Sequence, residues 1–454
     1  MARSSIGLDI GTRAVSLAEV QNGTLTRFGR ALLPSGAVEH GEVQDPMAVA
    51  TAVSTLWKKL GLAGKSVHVG IANRRVIVRT IEVPAMSRDD LASAIRFQAQ
   101  EHIPIPLDEA VMDYEVLEDI SGPNGEAMQR VLVVAAERAT VEPLLAAVRG
   151  ANLEPASLEL NAYPLVRAFA NGHNAPASQT AGAIVDIGAG VTNVVVYNRG
   201  KIRFTRILPT FGGDEFTAAV AEHLNVDLHE AESLKRRASE HLKSHALHEV
   251  LSPVGAMAGA SHGRPRAPMA PSAPSAPVAP SAPSAPETDR VEAFMPGDTS
   301  EVAHTSDADH PSYTDNFSDA DHTSYTDHSS YPSSYTEPEP FVDAPAVEQS
   351  PIDRLASVVR PLVDRLVTEI RGSLDFYAGQ PAALPIDHVV LTGGGALLGG
   401  IAEQLNASLG VEVTFGEPFK HVPIGSPEVS PEQQAIAEPF MGLAVGLALA
   451  GTGA

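Results

Sequence analysis

Ile6-Gly7-Leu8-Asp9-Ile10-Gly11-Thr12 and Ile184-Val185-Asp186-Ile187-Gly188-Ala189-Gly190 read alike: an apolar strand runs into an Asp, one apolar residue and a Gly. Each is followed by a second apolar run (14–20; 191–197), a turn (Asn22-Gly23; Asn198-Arg199-Gly200) and a third strand-like run (24–30; 201–207). Short apolar runs punctuated in this way are hairpin signals. Their repetition predicts a duplicated fold whose two first turns face each other across a cleft. Gly at such a turn lets backbone N–H groups approach a phosphate, and a carboxylate beside it can hold a hydrated Mg²⁺.

Outward from these stretches, 454 residues suffice for two sizeable cores. The chain has no cysteine, which excludes a disulfide framework and Cys-based metal sites and fits a reducing compartment. No stretch reaches the roughly 18 apolar residues of a membrane span, and the apolar run after Met1 meets Asp9 too soon for a signal peptide. The sequence therefore reads as a soluble cytoplasmic protein. The net charge of −23 is concentrated: residues 287–350 hold 15 acidic residues and one Arg, leaving only −9 for the rest. No basic stripe is present, so nucleic acid is not an expected ligand.

Residues 253–350 interrupt the pattern. A Ser-Ala-Pro tract over 267–286 is followed by an acidic Ser/Thr/Tyr segment in which Asp307–Asp315 is echoed by Asp319–Asp327. So little aliphatic content cannot offset the entropy of ordering, so a disordered insert is expected. Around it, helices are expected at 45–60, 88–102, 140–150, 215–224, 228–242, 352–377 and 396–409, with Ser87 and Asp227 as N-caps. Strands are expected within 66–83 and at 111–117, 129–136, 386–391 and 411–415. An all-apolar, small-residue helix at 441–450 reads as buried.

With Leu8-Asp9-Ile10-Gly11-Thr12 as a first phosphate motif, Asp186–Asn193 as a second and Val390-Leu391-Thr392-Gly393-Gly394-Gly395-Ala396 as an adenosine motif, the chain resembles the actin, Hsp70 and sugar-kinase ATPases. Within that superfamily it is similar to the PilM family of type IV pilus assembly proteins. Ile95–Pro106, Ala231-Glu232-Ser233-Leu234-Lys235 and Ser373-Leu374-Asp375-Phe376-Tyr377 carry that likeness. The resemblance covers about 1–252 and 351–451. It implies an α/β actin-like (ribonuclease H-like) duplicated two-domain fold, with an inserted α+β subdomain and the long disordered insert. The expected divisions are 1–83 for the first half, 84–152 for the inserted subdomain, 153–180 for a linking segment, 181–252 for the second half, 253–350 for the insert and 351–454 for the second half continued.

The resemblance also implies a site that binds ATP and Mg²⁺. The turns Gly11-Thr12-Arg13 and Gly188-Ala189-Gly190 would cradle the phosphates, with Thr12, Thr192 and Asn193 adding side-chain hydrogen bonds. Asp9 and Asp186 would hold Mg²⁺ through its waters. Gly212, Gly213, Gly393, Gly394, Gly395 and Ala396 would lie against the nucleoside, the triple Gly feeding a helix N-terminus. Glu232 and Lys235, one helical turn apart, would contact ribose and adenine. Glu159, where the family usually has Asp, is the candidate for orienting the attacking water.

Implied partners are the N-terminal cytoplasmic tail of a PilN-like inner-membrane protein, docking at the inserted subdomain, together with other pilus assembly proteins and self-association. The protein would sit peripheral to the inner membrane, with nucleotide as a conformational switch and at most slow hydrolysis. The alternatives are an FtsA-like filament protein and a small-molecule kinase of the same superfamily. The sequence stops soon after the 441–450 helix with no amphipathic tail, an expectation against direct membrane insertion.

Overall fold

The computed structural model describes residues 4–170, 179–237, 239, 351–381, 383–425 and 430–451. The expected insert over 253–350 lies outside the described residues.

The first half opens with β1 (Ser4–Ile10), β2 (Ala14–Gln21) and β3 (Thr24–Leu32), followed by a two-residue pair, β4 (Val38–Glu39) and β5 (Glu42–Val43). The β2–β3 turn is Asn22-Gly23, both at positive φ (52° and 77°), the conformation a tight two-residue hairpin requires. Helix α1 (Pro46–Leu60) starts where the Asp45 carboxylate accepts the Met47 and Ala48 amides, and it stops at Gly61 in the left-handed region. Strands β6 (Ser66–Ile71) and β7 (Val76–Pro84), helix α2 (Arg88–His102), strands β8 (Ala110–Ser121) and β9 (Ala127–Glu137), helix α3 (Arg138–Gly150), strand β10 (Glu154–Leu160) and helix α4 (Ala162–Phe169) follow.

The second half repeats the opening with β11 (Ala181–Ile187), β12 (Thr192–Asn198) and β13 (Lys201–Leu208). Its hairpin turn, Arg199-Gly200, again has two positive φ angles. Helices α5 (Gly213–Leu224), α6 (228–237) and α7 (Pro351–Ala378) are followed by β14 (Ile386–Thr392), α8 (Ile401–Leu409), β15 (Glu412–Phe415), α9 (Pro431–Ala437) and α10 (Gly442–Ala450).

The strand orders coincide: β10-β6-β1-β2-β3 in one sheet, β15-β14-β11-β12-β13 in the other. In each, the hairpin strands are antiparallel and the later strands join in parallel. Every residue of β11 and β12 is buried, as sheet strands covered on both faces require. One apolar core lies under the first sheet and continues onto Ile184, Val195 and Val390 of the second sheet; another covers the second sheet's other face. The second is completed by Leu355, Val359, Val363, Leu366 and Ile370, one stripe of α7 at helical spacing. Helix α10 packs on β1, β2 and α4 of the first half. A Cβ on Gly7 would fall 2.1 Å from the Ala444 carbonyl, and one on Gly446 1.9 Å from that of Pro164. Small residues let this helix be buried on all sides, as its composition predicts.

Two expectations are corrected. Strand β7 pairs with β9, giving a separate sheet of order β7-β9-β8, so the inserted subdomain begins near 76 rather than 84. Helix α3 contributes Val141, Leu144, Ala147 and Val148 to the first half's core, so the subdomain ends before 138 rather than at 152. The helix expected over 396–409 is split into a 3₁₀ turn (Gly394–Leu397) and α8, because Gly400 adopts a left-handed conformation between them. The triple Gly therefore leads into a single short turn.

Candidate functional site

Asp9 is the penultimate residue of β1 and Asp186 that of β11, each two residues before the Gly that opens its hairpin's first turn. Asp186 is buried, and Asp9 is partly exposed. Burial pushes Asp9 up to about 7, the charge of Asp186 adds to this, and Arg30 works against it. Burial pushes Asp186 up to about 6, against a 3.0 Å hydrogen bond donated by the Asn193 amide. The charge of Asp186 thus reaches Asp9, and a cation beside the two would favour their ionised forms.

The two turns meet. A Cβ on Gly190 would lie 2.4 Å from Thr12 Oγ1 and 3.2 Å from the His40 backbone. The Gly11 amide donates to Ala14 and the Gly188 amide to Val191, so these two close their own turns. Gly213 and Asp214 donate their amides to Gly188 and Ala189, and a Cβ on Gly212 would be 2.3 Å from the Ala189 carbonyl. The Gly212-Gly213 pair thus supports the second turn. Thr192 is fully buried and donates its hydroxyl to the Phe211 carbonyl, which makes it a brace for the same support. Arg13, expected at a phosphate, forms a 2.7 Å ion pair with Asp214 at the start of α5, tying the first turn to the other half.

Glu232 and Lys235 do more than share a helix face. Lys235 is 8% exposed and donates to Glu232 (2.6 Å), the Gly213 carbonyl (3.0 Å) and Thr217 Oγ1 (3.0 Å). Thr217 and Arg236 also donate to Glu232. Burial would raise the Glu232 carboxyl, but Lys235 and these bonds hold it below its ordinary value. The pair pins α6 to the start of α5, beside the second turn.

Gly393 has φ +87°, and a Cβ on it would fall 2.4 Å from the Ile187 carbonyl and 2.7 Å from Asp186 Oδ1. A Cβ on Gly395 would meet Ile187 Cγ2 at 2.2 Å. Ala396 is buried behind them. The Gly393–Gly395 turn is therefore pressed against the end of β11, and Gly is required for that approach.

Glu159, expected to orient water, has its carboxylate committed elsewhere. It pairs with Arg167 of α4, which also donates to the Gly446 carbonyl at 2.7 Å, and it accepts Ser157 Oγ at 2.9 Å. Sequence reasoning missed its neighbour Asn161. That side chain is buried, its Oδ1 has no hydrogen-bond partner, and it closes over Gly70, whose Cβ would fall 2.4 Å away. It also missed Arg30, whose guanidinium lies 4.1 Å from the centroid of the Phe440 ring. Arg30 stands in one cross-strand row with Ser16 and Asp9. Phe440 in turn packs over Gly394.

The profile of the family described as "Type IV pilus assembly protein PilM" matches residues 7–261, and that of "Cell division protein FtsA" matches residues 183–441. The chain is 26% identical over 260 residues to cell division protein FtsA of Streptococcus pneumoniae, covering 52% of this chain and 56% of that one. To FtsA of Bacillus subtilis it is 21% identical over 255 residues, covering 51% and 57%. The match thus spans little more than half the length of these curated relatives. The solved structure described as a PilM-PilN type IV pilus biogenesis complex superimposes with a TM-score of 0.68 at 24% identity, over 99% of this chain and 98% of the other. That likeness establishes the fold.

Proposed function

The chain belongs to the PilM family of type IV pilus assembly proteins, within the actin-like ATPase superfamily that also holds FtsA, and from that premise we propose that it is an ATP-binding assembly factor whose nucleotide acts as a conformational switch. The Asp9 and Asp186 pair carries this reading. Two carboxylates with raised pKa values, Asp186 buried and Asp9 partly exposed, come from equivalent points of the two halves, so a cation between them stabilises the closed arrangement. The donor set fits Mg²⁺, which keeps several waters and takes one or two carboxylates plus phosphate oxygens. Among the described residues no group of three or more His, Cys, Asp or Glu stands together, so no all-protein cage competes with that arrangement.

In this reading the turn amides that follow Gly11 and Gly188 hold the phosphates, and the glycines of 393–395 admit the nucleoside. Bound nucleotide favours one hinge position, with differential affinity for the two states as the driving force. Hydrolysis is slow. Its water is positioned by Asn161, whose free Oδ1 is an acceptor, while Glu159 holds α4 through Arg167. The partner is the N-terminal cytoplasmic tail of a PilN-like inner-membrane protein, docking at the inserted subdomain and bringing the protein to the membrane. Among the described residues no helix is long and apolar enough to cross a membrane itself.

Isothermal titration of Mg·ATP into wild type and Asp186→Ala, with and without a partner-tail peptide, tests the proposal. The expected result is binding to wild type, loss in the variant, and a peptide affinity that changes with nucleotide. Peptide binding in the absence of any ATP binding would leave a scaffold without a switch.

A further inference from the structure

The inserted sheet turns one face to α2, where Ile81, Val83, Leu91, Ile95, Val131 and Val133 form a small core. The other face carries charge. Register sets Glu82 of β7 opposite Arg130 of β9, and Arg130 opposite Glu118 of β8, in one cross-strand row. Arg130 pairs with Glu82 at 2.8 Å and with Glu118. The row does not stop at the sheet edge: the other Glu118 oxygen accepts Arg203 of β13, in the second half, at 2.7 Å.

Two β-bulges make this reach possible. In β8 the register slips between Val116 and Glu118, which brings Glu115 and Glu118 to one face although they are three residues apart. Glu115 accepts the Tyr163 hydroxyl of α4 at 2.6 Å. In β13 the slip falls between Phe204 and Ile202, so Arg203 is itself the extra residue, outside the ladder with β12. Its Nε is buried without a hydrogen-bond partner, so the guanidinium is held by Glu118 and is not locked within its own half. Burial would raise Glu118, yet Arg203 and Arg130 hold it below its ordinary value, so it is ionised at neutral pH. Strand β13 ends at Leu208, and the segment after it supplies the Gly213 and Asp214 amides that grip the second phosphate turn.

We propose that the Glu118–Arg203 bridge is a latch that clamps the inserted subdomain to the second half and couples its position to the nucleotide cleft. The clamp stands on the geometry alone; the coupling rests on the function proposed above. Nucleotide that shifts the second turn displaces β13, moves Arg203 relative to Glu118, and changes how the inserted subdomain presents itself to a partner.

The chain has no cysteine, so spin labels placed at Asn124→Cys and Lys201→Cys, both exposed, report the subdomain distance in the full-length protein by pulsed electron resonance. Wild type is expected to give one narrow distance. Arg203→Ala is expected to broaden it and lengthen it, and Arg203→Lys to restore it in part. The Arg130–Glu82 and Arg130–Glu118 pairs remain in both variants, and an unchanged thermal melt of the inserted unit confirms its fold. An Arg203→Ala distribution identical to wild type overturns the latch. Added Mg·ATP is expected to shift the wild-type distance and to leave Arg203→Ala unmoved. Equal shifts in both, with ATP shown to bind, overturn the coupling. If ATP does not bind, the proposed function fails, and the nucleotide-free comparison still decides the latch.

Discussion

Gly190 and Thr12 touch across the cleft at a separation that leaves no room for a Cβ, which would lie 2.4 Å from the Thr12 hydroxyl oxygen. The two Asp-x-Gly turns therefore approach because one of them lacks a side chain at this point. Gly190→Val forces them apart while leaving both sheet cores untouched. Mg·ATP affinity is expected to fall at least about tenfold, or about 1.4 kcal/mol, by titration calorimetry. A variant that binds as wild type does would mean that the turns do not act together.

Asp9 makes stability depend on pH. Its folded value, about 7, lies above its unfolded value of 3.8. Between these values the folded state holds a proton that the unfolded state has lost, so this group's contribution falls as pH rises from about 4 to 7. Asp9→Asn removes the effect. In the absence of nucleotide the variant is expected to gain up to about 4 kcal/mol on wild type between pH 4 and pH 8, read from urea melts at each pH. Saturating Mg·ATP should flatten the wild-type profile, since a bound cation stabilises the ionised pair.

Asn161 and Glu159 separate chemistry from support. Asn161→Ala is expected to leave Mg·ATP binding within about twofold of wild type and to abolish whatever slow turnover a sensitive phosphate-release assay detects. Glu159→Gln is expected to keep that turnover and to lower stability by about 1–2 kcal/mol, because Arg167 loses its carboxylate. The reverse pattern would return the water-orienting role to Glu159.

Arg13 ties the first turn to Asp214 across the halves. The pair is partly exposed, so Arg13→Ala is expected to cost under about 1 kcal/mol of stability. The hinge effect is larger. The variant should open and close more readily, seen as faster backbone hydrogen exchange at 11–14 and 212–216 with the sheet cores unchanged. Raising salt should move the wild type toward the variant.

Much of the fold is written locally. Asn22-Gly23 specifies a tight hairpin by itself, and Asp45 and Gly61 begin and end α1 through bonds within a few residues. The two Asp-x-Gly turns are likewise local, since one motif is used twice, whereas the nearness of Asp9 to Asp186 comes from how the halves meet. The limits of the inserted subdomain are not legible locally, because β7 and α3 have strand and helix patterns that suit either neighbour. Only their pairing with β9 and with the first core assigns them.

The sequence on its own sufficed for the duplicated halves and the glycine-bearing turns, each with its Asp, because each depends on residues adjacent in the chain. Tertiary structure alone decided which further side chains join them. An extra residue at Thr26 shifts the β2–β3 register so that Arg30, not Gly29, stands opposite Ser16 in the Asp9 row. An extra residue at Arg203 sends that side chain to Glu118. A one-residue slip exchanges the two faces of a strand, and no local pattern records where the slip falls.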